Sequence, residues 1–151
     1  MNKTSMYLII AVVVIVIIVG GVLAYVLTRP GGGGGGNTMD IYCAEYKFGT
    51  SAGSLSSPGP TLTFTAGQTY TITLHNVGTM PHNFAIVTTK IDGSTALAFS
   101  SAQIGSSSNP IAAGSTGSCT FTASTSGSYY YICQVDGHVS LGMWGPVTVN
   151  P

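Results

Sequence analysis

Hydrophobic and polar positions divide the chain into two parts that follow different rules. From Tyr7 to Leu27, "YLIIAVVVIVIIVGGVLAYVL", no residue is charged. As a helix that run would extend about 31 Å, at about 1.5 Å per residue, enough for the hydrocarbon core of a bilayer. Beyond Leu27 helical three-four spacing does not recur and period two takes over. Leu62 and Phe64 alternate with Thr61, Thr63 and Thr65, and Tyr70, Ile72 and Leu74 with Thr69, Thr71, Thr73 and His75. Cys119 and Phe121 share one face of a further strand, and Tyr129, Tyr131 and Cys133 share one face of another. The clusters "SSPGP", "AG", "DGS", "SSSNP" and "STSGS" punctuate these runs as turns. The pattern predicts one N-terminal transmembrane helix and then an all-β domain. Roughly seven or eight short strands should form an antiparallel β-sandwich of Greek-key type, Thr-rich on one face. The Ser/Ala/Gly-rich stretch 93–117 fits least well, with one strand expected around Leu97 to Ser101.

Three segments follow: an anchor at 1–28, a linker at 29–38 and a domain at 39–151. A cleaved signal peptide competes for the first, because Lys3 supplies a short basic n-region. The apolar run exceeds the usual h-region of about 7–15 residues and no A-x-A-like site follows, which favours an uncleaved anchor. Tyr7 and Tyr25 lie near its ends, where amphipathic rings favour the interface. Lys3 and Arg29 nearly cancel as topology signals, so an N-inside orientation rests on the short N-terminal tail. Everything after Arg29 would then lie outside the cell, and the sequon Asn2-Lys3-Thr4 would lie inside, unused. The six glycines of "RPGGGGGGNT" read as a flexible tether reaching about 14 Å.

Charge narrows the function classes. From Met39 onward the charged residues are Lys47 and Lys90 against Asp40, Glu45, Asp92 and Asp136. Nucleic-acid binding demands clustered Lys and Arg, so it is excluded as an expectation. Few carboxylates also means few groups whose protonation could undermine the fold in acid. That composition suits a domain facing an acidic exterior; a neutral, glycosylated Ser/Thr surface accounts for it equally well.

The candidate chemistry lies in "CQVDGHVSLGMWG", residues 133–145. Cys133, His138 and Met143 stand at C-x4-H-x4-M spacing, and His82 heads a strand in "GTMPHNFAIV". A sandwich brings such strand ends together at one pole. A thiolate and two imidazoles form a trigonal set that accepts both Cu(I) and Cu(II), and a long thioether bond completes it. Structural zinc usually takes four Cys or His ligands, and thioether suits it poorly. Asp136-Gly137 predicts a tight turn without a metal role. His75 lies on the Thr face of its strand and reads as a surface histidine. Cys43 and Cys119 leave two readings open: a disulfide, which an exterior location permits, or two buried thiols.

"YYYICQVDGHVSLGMWGPVTVN" and "TLHNVGTMPHNF" resemble the blue copper proteins, or cupredoxins. Among them the chain is most similar to the membrane-anchored archaeal sulfocyanins, whose ligand loop also reads C-x4-H-x4-M-W-G. It is similar as well to plastocyanin, which has a shorter Cys-to-His interval. The resemblance covers about Thr61 to Asn150 and implies one type 1 copper, with His82, Cys133 and His138 equatorial and Met143 axial. It implies single-electron transfer, often in a respiratory chain, with membrane redox proteins such as a terminal oxidase or a cytochrome as partners. It further implies that Asn83 bonds across to the loop after Cys133, although a solvent-facing Asn is the plain alternative. Tyr129 resembles a tyrosine-corner residue, with core packing as the alternative. Met80, Pro81, Val139, Leu141 and Trp144 would form an apolar collar near His138 for docking, with Trp144 itself expected to be buried. A copper enzyme would need further His-rich sites, and only His75 remains for one. A binuclear electron-entry site would need a second loop cysteine, and a chaperone would need clustered Met or Cys. The remaining rival is a metal-free tethered surface or adhesion domain.

Overall fold

The computed structural model describes residues 37–151. The expected membrane anchor and most of the linker lie outside the described residues. Nine strands follow in order: β1 (Asn37–Ala44), β2 (Lys47–Gly49), β3 (Leu62–Thr65), β4 (Thr69–Asn76), β5 (Phe84–Val87), β6 (Gln103–Ile104), β7 (Thr116–Thr122), β8 (Gly127–Ile132) and β9 (Trp144–Asn150). They form a four-stranded sheet, β2-β1-β4-β7, and a five-stranded sheet, β3-β9-β8-β5-β6. No helix occurs among the described residues.

Alternation explains which residues face inward. On β4 and β7, Ile72, Leu74, Cys119 and Phe121 are buried. Their threonine neighbours face out and pair across the strands, Thr69 with Thr122 at 3.0 Å and Thr71 with Thr120 at 2.9 Å. Aromatic rings stitch the two sheets together: Phe48 meets Tyr131 at 5.2 Å, and Phe64 meets Phe121 at 5.5 Å, both edge to face. Such offset contacts add about 0.5–1.5 kcal/mol each beyond the area they bury. Tyr131 stands over Gly59 and Gly145, where an added Cβ would run into its ring or hydroxyl, and donates to Pro60 O at 2.6 Å.

The sandwich is mixed rather than purely antiparallel as expected. β1 pairs parallel with β4, and β3 parallel with β9. The chain changes sheets between β1 and β3, so each joins a strand reached only by a long connection, which parallel pairing requires. The strand expected around Leu97 to Ser101 is also absent. Ala98 N donates to Ile86 O (2.8 Å) and Ala102 O accepts from Ile86 N (2.9 Å). Both backbone groups of one β5 residue are thus used, and residues 99–101 loop out between them. Ser101 turns the chain at φ 64°, and Phe99 drops into the core, stacked on Phe121 at 5.7 Å. Pairing resumes in β6.

Every residue of β5 is buried, on both faces. Its outer face joins a second apolar cluster of Ala85, Val87, Ile132 and Val139, flanked by half-buried Leu97, Tyr130 and Trp144.

Candidate metal centre

The five-stranded sheet delivers the metal-binding candidates to one pole, from the start of β5 and the β8–β9 loop. His82 precedes β5 and is pinned to Ile111 by two backbone bonds, His82 N to Ile111 O at 3.1 Å and Ile111 N to His82 O at 2.7 Å. The approach to it is shaped by buried Asn76, which donates to Met80 O and Ile111 O and accepts from Gly78 N. Cys133 follows β8 directly. Residues 135–138 make the expected turn, with His138 N bonded to Val135 O and Gly137 at φ 77°. The loop closes when Met143 N donates to His138 O (2.9 Å) and Cys133 N to Met143 O (3.1 Å). The backbones of all three loop residues are therefore held to one another.

His82, Cys133 and His138 are buried with their donor atoms converging. The two Nδ1 atoms are 3.3 Å apart, and Cys133 Sγ lies 3.9 Å from that of His82 and 3.4 Å from that of His138. A trigonal ion bound at about 2.0–2.1 Å to nitrogen and about 2.3 Å to sulfur would hold the nitrogens about 3.5 Å apart and each about 3.8 Å from sulfur. The observed triangle matches that shape. Burial holds the His82 imidazole down at about 4, with the neighbouring His138 adding to the effect, and burial lowers His138 as well. Both shifts disfavour a proton charge on the rings, which suits them as donors beside a sulfur. A cation is what such a cluster accommodates. His82 Nε2 is buried and has no hydrogen-bond partner among the described residues, where the ring's polar engagement is on its Nδ1 side. Burial also raises the Cys133 thiol, opposed by the Asn83 backbone N–H, which donates to Sγ at 3.4 Å. Metal binding would therefore release a proton. Met143 is fully buried in the core cluster containing Cys133.

Asn83 does bond across to the loop. Its Oδ1 accepts from Gln134 N at 2.6 Å, and its Nδ2 donates to Gln134 Oε1 at 2.7 Å. Tyr129 Oη donates to Thr125 O at 3.2 Å, the hydrogen bond expected of a tyrosine corner. Cys43 and Cys119 are free buried thiols. Strand β4 lies between them, with Cys43 opposite Asn76 and Cys119 opposite Ile72, so no disulfide can join them. Burial pushes the two thiols up to about 12 and about 11. His75 is bonded to Asp40 at 2.8 Å and stacked on Tyr42, on the face of the sheet turned from the core.

The collar is only partly as expected. Leu141 and Pro81 are exposed and Met80 half-buried, but Val139 is buried. Trp144 is half-buried rather than buried, since its ring turns to the outer cluster under Lys90, whose Nζ lies 3.4 Å from the ring centre. His138 has no broad exposed edge: Tyr46 meets its ring edge-on at 5.1 Å. Tyr46 has φ 60°, and the adjoining Glu45 carboxylate accepts from Thr79 N and Oγ1, tying the β1–β2 turn to the approach to His82. Tyr46, Glu45, Gln134 and Asp92 carry no sequence motif; the one available signal was the polar Gln134 directly after a buried donor.

A two-sheet β-sandwich with a buried His-Cys-His triangle and a buried Met at one pole defines a blue copper, cupredoxin-type protein, and the donors fit one type 1 copper per chain. Residues 44–150 match the copper binding proteins of the plastocyanin/azurin family, and the chain belongs to that family. Among solved structures it is similar to auracyanin A, a "blue" copper protein of the green thermophilic photosynthetic bacterium Chloroflexus aurantiacus. The two share 26% identity at TM-score 0.54, over 77% of this chain and 100% of that one. Rusticyanin from Thiobacillus ferrooxidans is 26% identical at TM-score 0.52, over 76% and 79% of the respective chains. A multicopper oxidase, mgLAC, shares the fold at 23% identity and TM-score 0.54, but only 38% of its chain is covered. No curated protein sequence matches.

Proposed function

We propose that this chain is a membrane-tethered carrier of single electrons on the extracytoplasmic side, working in a respiratory chain. The observation that carries the reading is the buried triangle of two imidazole Nδ1 atoms and one thiol sulfur. When bound there, copper supplies a one-electron couple, Cu(I)/Cu(II). The protein's part is to hold His82, Cys133, His138 and Met143 as ligands in a rigid dry site, so that little rearranges when charge changes.

Similarity over the whole length of auracyanin A, a small blue copper protein, at 26% identity supports a carrier. The uncharged run Tyr7–Leu27 supports a single-pass anchor in the cell membrane, and the glycines after it a tether. The C-x4-H-x4-M-W-G loop supports placing the chain beside the archaeal sulfocyanins. Exposed Pro81 and Leu141 supply an apolar spot for brief docking of a terminal oxidase or cytochrome-type protein. Tethering replaces charge steering by raising the effective concentration near a membrane partner. Redox titration of the copper-loaded full-length chain tests this. One electron per chain should bleach it reversibly, and the chain should partition with membranes only while residues 1–28 are present. More than one electron per chain, or a full-length chain that stays soluble, would contradict the proposal.

A further inference from the structure

Segment Lys90–Ser94 contributes no metal-binding candidate, yet it touches the residue that follows each of the three in the loop. Asp92 Oδ1 accepts from Val139 N at 2.8 Å and from Ser140 N at 3.2 Å, and its Oδ2 accepts from the Ser140 hydroxyl. Val139 follows His138. Ser94 O accepts from Gln134 Nε2 at 2.7 Å, and Gln134 follows Cys133. Lys90 Nζ lies 3.4 Å from the centre of the Trp144 ring, and Trp144 follows Met143.

We propose that Lys90–Ser94 is a strap that sets the position of Cys133, His138 and Met143 together, with Asp92 as its central positioning residue.

The strap is itself fixed. Ser94 N donates to Ile91 O at 3.1 Å, closing a turn in which Gly93 takes φ 68°, so Asp92 projects from a closed turn. Gln134 is 1% exposed and its Oε1 accepts both Asn83 Nδ2 and Gln103 Nε2. Through Gln134 the strap is therefore joined to the residue after His82 as well. The amides of Val139 and Ser140 open the turn that runs to Gly142, and among the described residues they have no backbone acceptor; a carboxylate is the strongest acceptor for such a pair. Bonding to Ser140 holds the Asp92 carboxyl below the usual carboxylate range. Its charge thus lies beside the loop that carries His138. A negative charge there favours the more positive, oxidised state of a bound metal, so Asp92 should lower the reduction potential as well as fix geometry.

The geometric claim stands without metal, while the effect on potential rests on the proposed function. Full-length wild type, Asp92→Asn and Asp92→Ala, each purified in detergent, separate the two. In metal-free protein, the Val139 and Ser140 amides should exchange with solvent at least about tenfold faster in Asp92→Ala than in wild type, with less change in Asp92→Asn, which keeps a side-chain acceptor. With copper, Asp92→Ala should change the ratio of the thiolate-to-copper absorption bands and widen the hyperfine splitting. Asp92→Asn should restore both, yet keep a reduction potential above that of wild type. Unchanged exchange in a folded Asp92→Ala overturns the strap. Equal potentials in copper-loaded wild type and Asp92→Asn overturn the electrostatic part. Wild type that binds no copper leaves the exchange result to decide the strap and counts against the proposed function alone.

Discussion

Asn83 and Gln134 exchange two hydrogen bonds at the point where the two ligand-bearing segments meet, and both are almost fully buried. Asn83→Ala would leave the Gln134 amide N–H without its acceptor in a place water does not reach. The expected cost is about 1–3 kcal/mol, read as a lower urea midpoint at unchanged m-value. A midpoint equal to wild type would mean that Gln134 finds other partners. At this scale the sequence was legible where chemistry names the residue. Cys133, His138 and Met143 at metal spacing, with His82 upstream, are rare enough to be read, and the bond from Asn83 was expected from the resemblance to the blue copper proteins. Asp92 and Tyr46 were not legible, because their roles depend on loops folding back to the pole from remote parts of the chain. Trp144 was misjudged for a related reason: alternation puts it on the outer face of β9, and size alone does not override that.

At the scale of elements, β3, β4, β7 and β8 were visible as period-two runs because alternate residues of each face the core between the sheets. β5 had no such period, being covered on both faces. The excursion between Ala98 and Ala102 defeated the same reading: "LAFSS" has strand-like content, but its job is to insert one ring. Phe99→Ala should therefore cost about 3–5 kcal/mol, since it empties a place against Phe121 and Tyr129. Urea unfolding checks this, and a loss under about 1 kcal/mol would show that the loop can collapse over the gap. Parallel pairing of β1 with β4 and β3 with β9 is a matter of which strands become neighbours, on which local alternation is silent.

The whole molecule carries few charges, and that shapes its response to acid. Hydrogen bonds from Thr79 hold Glu45 down at about 2, against about 4.3 in an unfolded chain. A depressed carboxylate contributes stability that is complete above the unfolded value and is lost as pH falls through the folded one. The Glu45 contribution should thus persist at neutral pH and disappear between about pH 5 and pH 2. Glu45→Gln should flatten the pH dependence of the melting midpoint in that window and leave the pH dependence above about 6 unchanged. An unaltered slope below pH 5 would remove Glu45 from the account. Tolerance of an acidic exterior would follow from having so few other such groups, and it belongs to the same proposal as the membrane anchor.

The central claim is that His82, Cys133, His138 and Met143 hold one copper in a type 1 site, and titration with Cu(II) followed by visible absorption and EPR tests it most directly. The full-length chain should saturate at one equivalent, with an intense thiolate-to-copper band and narrow hyperfine splitting. Cys133→Ser should lose both while still unfolding cooperatively. A wild-type spectrum that survives Cys133→Ser, or no coloured complex at one equivalent, would contradict the account.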